Sequence, residues 1–231
     1  MPERRVGVCP VVMRPVALGR PARARLWPYL LTLAIASIVV QRVGYERACG
    51  TVASFARPRP TVVDDTRSLA ALCADAGVPY PPTNVRIVIE KQTRTLTLFA
   101  GERMLARYRI GLGFAPTGGK LHEGDGRTPE GELTIVTRNE KSRFRRFLGL
   151  SYPRPTDATD ASLTPEEKAA IGDAFREHRK PPWETPLGGA VGIHGHGSER
   201  DWTSGCVAVN DPVIDVLWDA APLGTRVTIV P

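Results

Sequence analysis

The sequence predicts a mostly β fold, a sandwich or barrel-like sheet with two or three short helices, behind an N-terminal membrane-anchor helix. Three observations predict it. Glycine (22) and proline (21) are plentiful among the 231 residues, which favours turns and strands over a helical bundle. From Val85 onward, short β-branched runs recur between turn residues. Near the N-terminus an uncharged apolar run follows a cluster of arginines. The composition, 42% hydrophobic and 24% charged, is globular and excludes a wholly disordered or collagen-like chain. Four cysteines are too few for a disulfide scaffold.

The net charge of +7 suggests nucleic acid as a partner, but its distribution argues otherwise. Residues 1–25 carry Arg4, Arg5, Arg14, Arg20, Arg23 and Arg25 against Glu3, a balance of +5 that leaves only +2 for the rest. We read 1–25 as a basic cytoplasmic leader and 26–41 as a signal-anchor or signal peptide, because Leu26 to Val40 contains no charge. A buried core helix is the alternative; six arginines just upstream count against it. No clear A-x-A site follows, and the residues before Cys49 make a poor lipid-attachment sequence, so an uncleaved anchor is preferred to a cleaved signal. Translation starts at Met1 or Met13, and the remainder lies outside the cytoplasm.

Residues 42–84, rich in proline, read as a stalk, with a short helical pattern from Ser68 to Ala76. Cys49 and Cys73 fall here, as a disulfide or as two free thiols. Residues 85–231 form the folded-domain candidate. VRIVIEK, RTLTLFA and ERMLARYRIGLG read as a β-meander with turns at Gln92-Thr93 and Ala100-Gly101. Further strands are expected at 131–137 and 146–153 and in VGIHG, CVAVN and TRVTIVP, about eight in all. Thr164-Pro165-Glu166-Glu167 has the capping-box arrangement and predicts a helix to about His178. Asp211-Pro212 opens another, with Val213, Ile214, Leu217 and Trp218 as its apolar stripe.

The chemistry concentrates in residues 190–210. Strand alternation sets His194 on the face opposite Val191 and Ile193, with His196 on the same face as His194. Cys206 follows Gly205, which lets a substrate approach the thiol. A thiol and an imidazole on neighbouring strand ends form a nucleophile pair where they meet. Only the thiolate attacks a carbonyl well, and an imidazole supplies the base. Backbone N–H groups around Ser204 to Cys206 are the natural oxyanion stabilisers. The bland alternative is a buried small hydrophobe at 206 and a satisfied histidine at 194.

The segment resembles the signature of the YkuD-type L,D-transpeptidase catalytic domain. There a histidine-glycine on one strand is followed by a loop and by Ser/Thr-x-Gly-Cys with an apolar residue after it. The corresponding residues are His194-Gly195 and Thr203-Ser204-Gly205-Cys206-Val207. A second block of that family, Gly-Asp-x-x-Thr-Pro-x-Gly, is matched by Gly124-Asp125-Gly126-Arg127-Thr128-Pro129-Glu130-Gly131. The resemblance covers about Val85 to Pro231, and DWTSGCVAVND and LGLSYP look most like the YafK-type branch. Ser204 departs from the second histidine that many members carry before the Gly-Cys.

The resemblance implies Cys206 as nucleophile and His194 as base, with His196 at the pocket rim or as the alternative base. Thr203, Ser204, Gly205, Gly195, His196 and Arg127 make the implied oxyanion and substrate-binding set. The implied partners are peptidoglycan stem peptides. Cys206 would attack the L-centre carbonyl of diaminopimelate, release D-alanine, and pass the acyl group to an amine. The acceptor is another diaminopimelate, a lysine of a peptidoglycan-linked lipoprotein, or water, which would make the enzyme a carboxypeptidase or amidase-type hydrolase. The implied location is the periplasmic face of a bacterial envelope, with the membrane engaged through residues 26–41. No cofactor and no metal are expected.

Thr128 and Pro129 are expected to be structural, and Lys120, His122 and Arg127 to be solvated charges or carboxylate holders. Trp202 and Tyr152 are read as cleft or core aromatics, and the helix at 164–178 with KPPWETPLGG as a lid. Two rival readings stand beside these. His194 and His196 with Cys206, Asp201 or His122 would suit zinc. A non-catalytic peptidoglycan-binding module is the other.

Overall fold

The structure is a computed structural model and describes residues 64–231. The basic leader, the apolar segment 26–41 and Cys49 lie outside these residues. No helix among the described residues is long and apolar enough to cross a membrane.

Helix α1 (Leu69–Ala76) starts where Ser68 Oγ accepts the Ala71 amide and stops at Gly77 in the left-handed region. It falls inside the expected stalk, yet Leu69, Leu72 and Cys73 are buried in the domain core. Cys73 is a free thiol.

The meander forms as its alternation predicts: β1 (Val85–Glu90), β2 (Thr95–Ala100) and β3 (Arg103–Arg109) pair antiparallel. Ile87 and Ile89 point into the core from alternate positions of β1. The long hairpin of β4 (Gly131–Ser142) and β5 (Arg145–Leu150) follows. The short β6 (Gly192–His194) and β7 (Val207–Ala208) and the final β8 (Arg226–Val230) complete eight strands among the described residues. Their order is β3-β2-β1-β8-β4-β5-β6-β7, with β1/β8 and β6/β7 parallel.

The two ends of this sheet meet. Gly111, just past β3, exchanges both backbone bonds with Ala208 of β7 at 2.8 Å. The sheet is therefore curled on itself, as the barrel-like expectation had it, around Leu96, Leu98, Ile110, Leu112, Leu148 and Ile193.

Strand β4 runs five residues beyond the expected end at 137. The extension is rich in charge, which hides its strand character in sequence. Part of the hairpin's charge lies over α3 (Asp211–Ala220): the Arg138 guanidinium of β4 sits 4.0 Å from the Trp218 ring centroid, and Arg145 and Arg146 of β5 pair with Asp215. Val213, Ile214 and Leu217 of α3 are buried as expected. Helix α2 (Pro165–Arg176) carries the full capping box, Thr164 Oγ1 to the Glu167 amide and the Glu167 carboxylate to the Thr164 amide.

Candidate active site

His194 is the last residue of β6, and Cys206 immediately precedes β7. The register sets His194 beside Ala208, two residues past the thiol. Both side chains line one cavity of about 730 Å³, together with Phe144, Trp202, Thr203 and Ser204. A thiol and an imidazole on adjacent strand ends thus share one cavity.

The imidazole is held by two rings and a backbone carbonyl. It is 2% exposed, stacks on Phe144 with centroids 4.6 Å apart, and meets the edge of Trp202 at 5.5 Å. Its Nδ1 lies 2.7 Å from the Gly195 carbonyl. A carbonyl only accepts, so Nδ1 carries the proton and Nε2 offers its lone pair. Burial holds the His194 pKa below the ordinary imidazole value, against the pull of the Gly195 bond, with His196 and Arg143 adding to the lowering.

The thiol is half-buried, and its Sγ donates to the Ala190 carbonyl at 3.5 Å. Burial pushes its pKa up to about 11, although the Gly192 backbone and the Lys120 charge pull it down. Both shifts favour the uncharged form, the thiol at 206 and the imidazole at 194. Ala190 itself is held at φ 53°, the left-handed region.

The loop before the thiol is braced by Thr203. Its buried Oγ1 accepts the Gly205 amide at 3.1 Å and donates to the Cys206 carbonyl at 2.7 Å. The Gly205 amide, expected among the oxyanion donors, is thus already bonded within the loop. Gly205 sits at φ 141°, and a Cβ there would stand 2.7 Å from the Arg127 carbonyl, so only glycine fits. Ser204 is exposed and lines the cavity.

A second cavity of about 300 Å³ also reaches Cys206, between Lys120, Glu123 and the 188–191 segment. Lys120 is buried here, not solvated as its polar surroundings suggested. Its Nζ bonds Asp125 Oδ1 at 2.9 Å and the His122 carbonyl at 3.0 Å. Burial alone would raise the Asp125 pKa, but the amides of Leu121, Arg127 and His122 and the Lys120 ammonium outweigh it and hold the carboxyl at about 2. Asp125 is a clasp for the loop behind the thiol, a role the sequence reading passed over. Thr128 accepts the Gly113 amide at 3.2 Å from a buried position, the structural part expected of it.

The other candidates are distributed as follows around the site. His196 does not share the face of His194: β6 ends at His194, and His196 turns out at φ 76° with its amide on Asp211. It is exposed and lines neither cavity at the thiol. Arg127 lines neither cavity, and a Cβ on Gly118 would lie 3.7 Å from its Nη1. Tyr152 is fully buried with its hydroxyl on the Leu187 carbonyl, whereas Trp202 does line the larger cavity. Of the expected lid, the segment 180–191 flanks the thiol through Lys180, Trp183 and Gly188 to Val191. Helix α2 instead borders a separate hollow beside β4.

Among the described residues, no three His, Cys, Asp or Glu side chains are grouped to hold a metal ion. Asp201, a ligand in the zinc reading, is bound by Arg94 and the Leu112 amide.

Residues 84–229 match the YkuD family, the L,D-transpeptidase catalytic domain, and the chain belongs to it. Among solved structures it is similar to the L,D-transpeptidase of Xylanimonas cellulosilytica at 18% identity and TM-score 0.39, over 71% of this chain and 70% of that one. It is also similar to the helical cell shape determining protein Pgp2 of Campylobacter jejuni at 17% identity and TM-score 0.44, over 71% and 56% of the two chains. A Mycobacterium smegmatis L,D-transpeptidase matches at 10% identity and TM-score 0.39, over 64% and 59%. No curated protein matches the chain.

Proposed function

We propose that the protein is a cysteine-dependent L,D-transpeptidase acting on peptidoglycan stem peptides in the cell envelope. The observation that supports this most is the shared cavity of Cys206 and His194, with Nε2 left free by the Gly195 bond.

In this reading His194 Nε2 takes the Cys206 proton as Sγ attacks the carbonyl carbon at the L-centre of diaminopimelate. The carbonyl oxygen becomes an oxyanion; since the Gly205 amide is engaged, the amides of Ser204 and Cys206 are the donors left to meet it. The C–N bond breaks, the imidazolium returns its proton to the departing D-alanine amine, and a thioester remains. An acceptor amine then attacks the thioester and restores the thiol. Two cavities meeting at one sulfur suit a reaction with two substrates. The resemblance to the YafK-type branch keeps water as a third acceptor in the same scheme.

The test is incubation of the full chain with diaminopimelate-containing muropeptides, with products read by mass. Dimers indicate transpeptidation, tripeptide with free D-alanine indicates hydrolysis, and a peptide-linked lysine indicates a protein acceptor. Cys206→Ala is expected to abolish all three. Turnover by that variant would remove the thiol from the mechanism and leave peptidoglycan binding as the reading.

A further inference from the structure

The larger cavity is lined by three cationic side chains, Lys141, Arg143 and Lys180, and by no carboxylate. Four buried or half-buried cations of the domain are paired with carboxylates: Lys91 with Glu130, Arg94 with Asp201, Lys120 with Asp125, Arg154 with Asp157. None of the three cavity cations has a carboxylate partner among the described residues. Two are instead seated on rings of the same cavity. The Arg143 guanidinium carbon lies 4.7 Å from the Phe144 centroid, and Lys180 Nζ lies 4.1 Å from that of Trp183. A cation on an aromatic face is held in place while its donors stay available. The three come from two separate parts of the chain, the end of the β4–β5 hairpin and the 180–183 segment, and converge on the hollow that holds the thiol. Like charges gathered without counter-charge repel one another and leave a positive field that an anion relieves.

We propose that this cavity is an anion-selective donor site, in which Lys141, Arg143 and Lys180 hold the free carboxylates of a polyanionic peptide while its reacting carbonyl lies at Cys206. The inference rests on the acyl-transfer reading for its orientation. It adds the property by which the donor is recognised, which is free carboxylate groups, and it names the side chains that recognise them. A donor whose carboxylates are amidated is discriminated against.

The experiment uses the full chain carrying Cys206→Ala, so that binding is read without turnover. A stem tetrapeptide with free carboxylates and its amidated counterpart are titrated by calorimetry. The free form is expected to bind about tenfold or more tightly at low salt, the scale of one charge-assisted contact. The gap should shrink at about 0.5 M salt, where screening acts within a few ångströms. Adding Lys141→Gln and Lys180→Gln, both at exposed positions, should close it, while Arg143→Lys should keep most of it. Equal affinity for the two peptides, failure of the free-carboxylate form to bind, or a gap untouched by the double substitution overturns the proposal. Equal kcat/KM of the unmodified chain on both donors sinks this proposal but leaves acyl transfer standing. Carboxylate-dependent binding without turnover does the reverse.

Discussion

Arg94 and Asp201, 107 residues apart in sequence, form a three-bond ion pair: Arg94 Nε lies 3.1 Å from both carboxylate oxygens and Nη2 lies 2.8 Å from Oδ2. Asp201 also accepts the Leu112 amide. The turn between β1 and β2 thereby fixes the base of the loop that ends in Cys206.

Breaking this pair should cost both stability and turnover. Asp201→Ala leaves a mostly buried guanidinium without its counter-charge, bonded only to the Lys91 carbonyl, and deprives the Leu112 amide of its acceptor, so a loss of about 3 kcal/mol is expected. Denaturant unfolding reads the loss, and Arg94→Lys should recover part of it. A midpoint unchanged in Asp201→Ala would show that the pair does not hold the loop.

The thiol should be slow to react when no ligand is bound. A pKa of about 11 against an ordinary 9.0 leaves about a hundredfold less thiolate at neutral pH than a free cysteine has. Iodoacetamide labelling of Cys206, followed by mass, should accelerate with pH until about 11. A plateau near pH 7 would mean that the thiol is already ionised. The same shift acts on folding. The unfolded chain loses this proton at lower pH than the folded one, so stability falls as pH rises from about 9 to about 11.

Phe144→Ala should move the acid limb of the pH–activity profile. The ring covers one face of His194, and burial is the main cause of its lowered pKa. Uncovering it raises the pKa towards the ordinary value, so the neutral base is lost at a higher pH and the limb shifts upward. A limb that stays in place with only the plateau reduced would assign the ring a packing role alone.

Thr203→Val keeps shape and removes both hydroxyl bonds of the brace. The Gly205 amide and the Cys206 carbonyl are then left short of partners, at a cost of about 1–3 kcal/mol. Turnover of muropeptides should fall, and Thr203→Ser should restore it. Equal turnover by the valine variant would show that the freed amide serves as well as the braced one.

Much of the frame was legible because local chemistry decided it. The meander followed from alternation, and Thr164 with Glu167 announced α2. Motif and strand logic point to Cys206 and His194, whose side chains line one cavity. What failed depended on contacts distant in sequence. Period-two reasoning carried the strand on to His196, but the Asp211 carboxylate captures that residue's amide and the chain turns away. Lys120 read as solvent-facing because its neighbours are polar; its burial exists only once Asp125 folds back and Gly205 packs alongside. Phe144 carried no signal, since the β4–β5 hairpin that presents it is written in arginines, lysine and glutamate that lie over α3 or face the cavity.

The bonds between Gly111 and Ala208 also decide how a peptide can be read at this thiol. Many proteins hold an extended chain by letting it join an unsatisfied sheet margin, where main-chain bonds supply affinity whatever the side chains are. Next to Cys206 that margin is already occupied from within, by residue 111. A visiting peptide therefore gains nothing from generic backbone pairing at Ala208 and must be chosen by its functional groups.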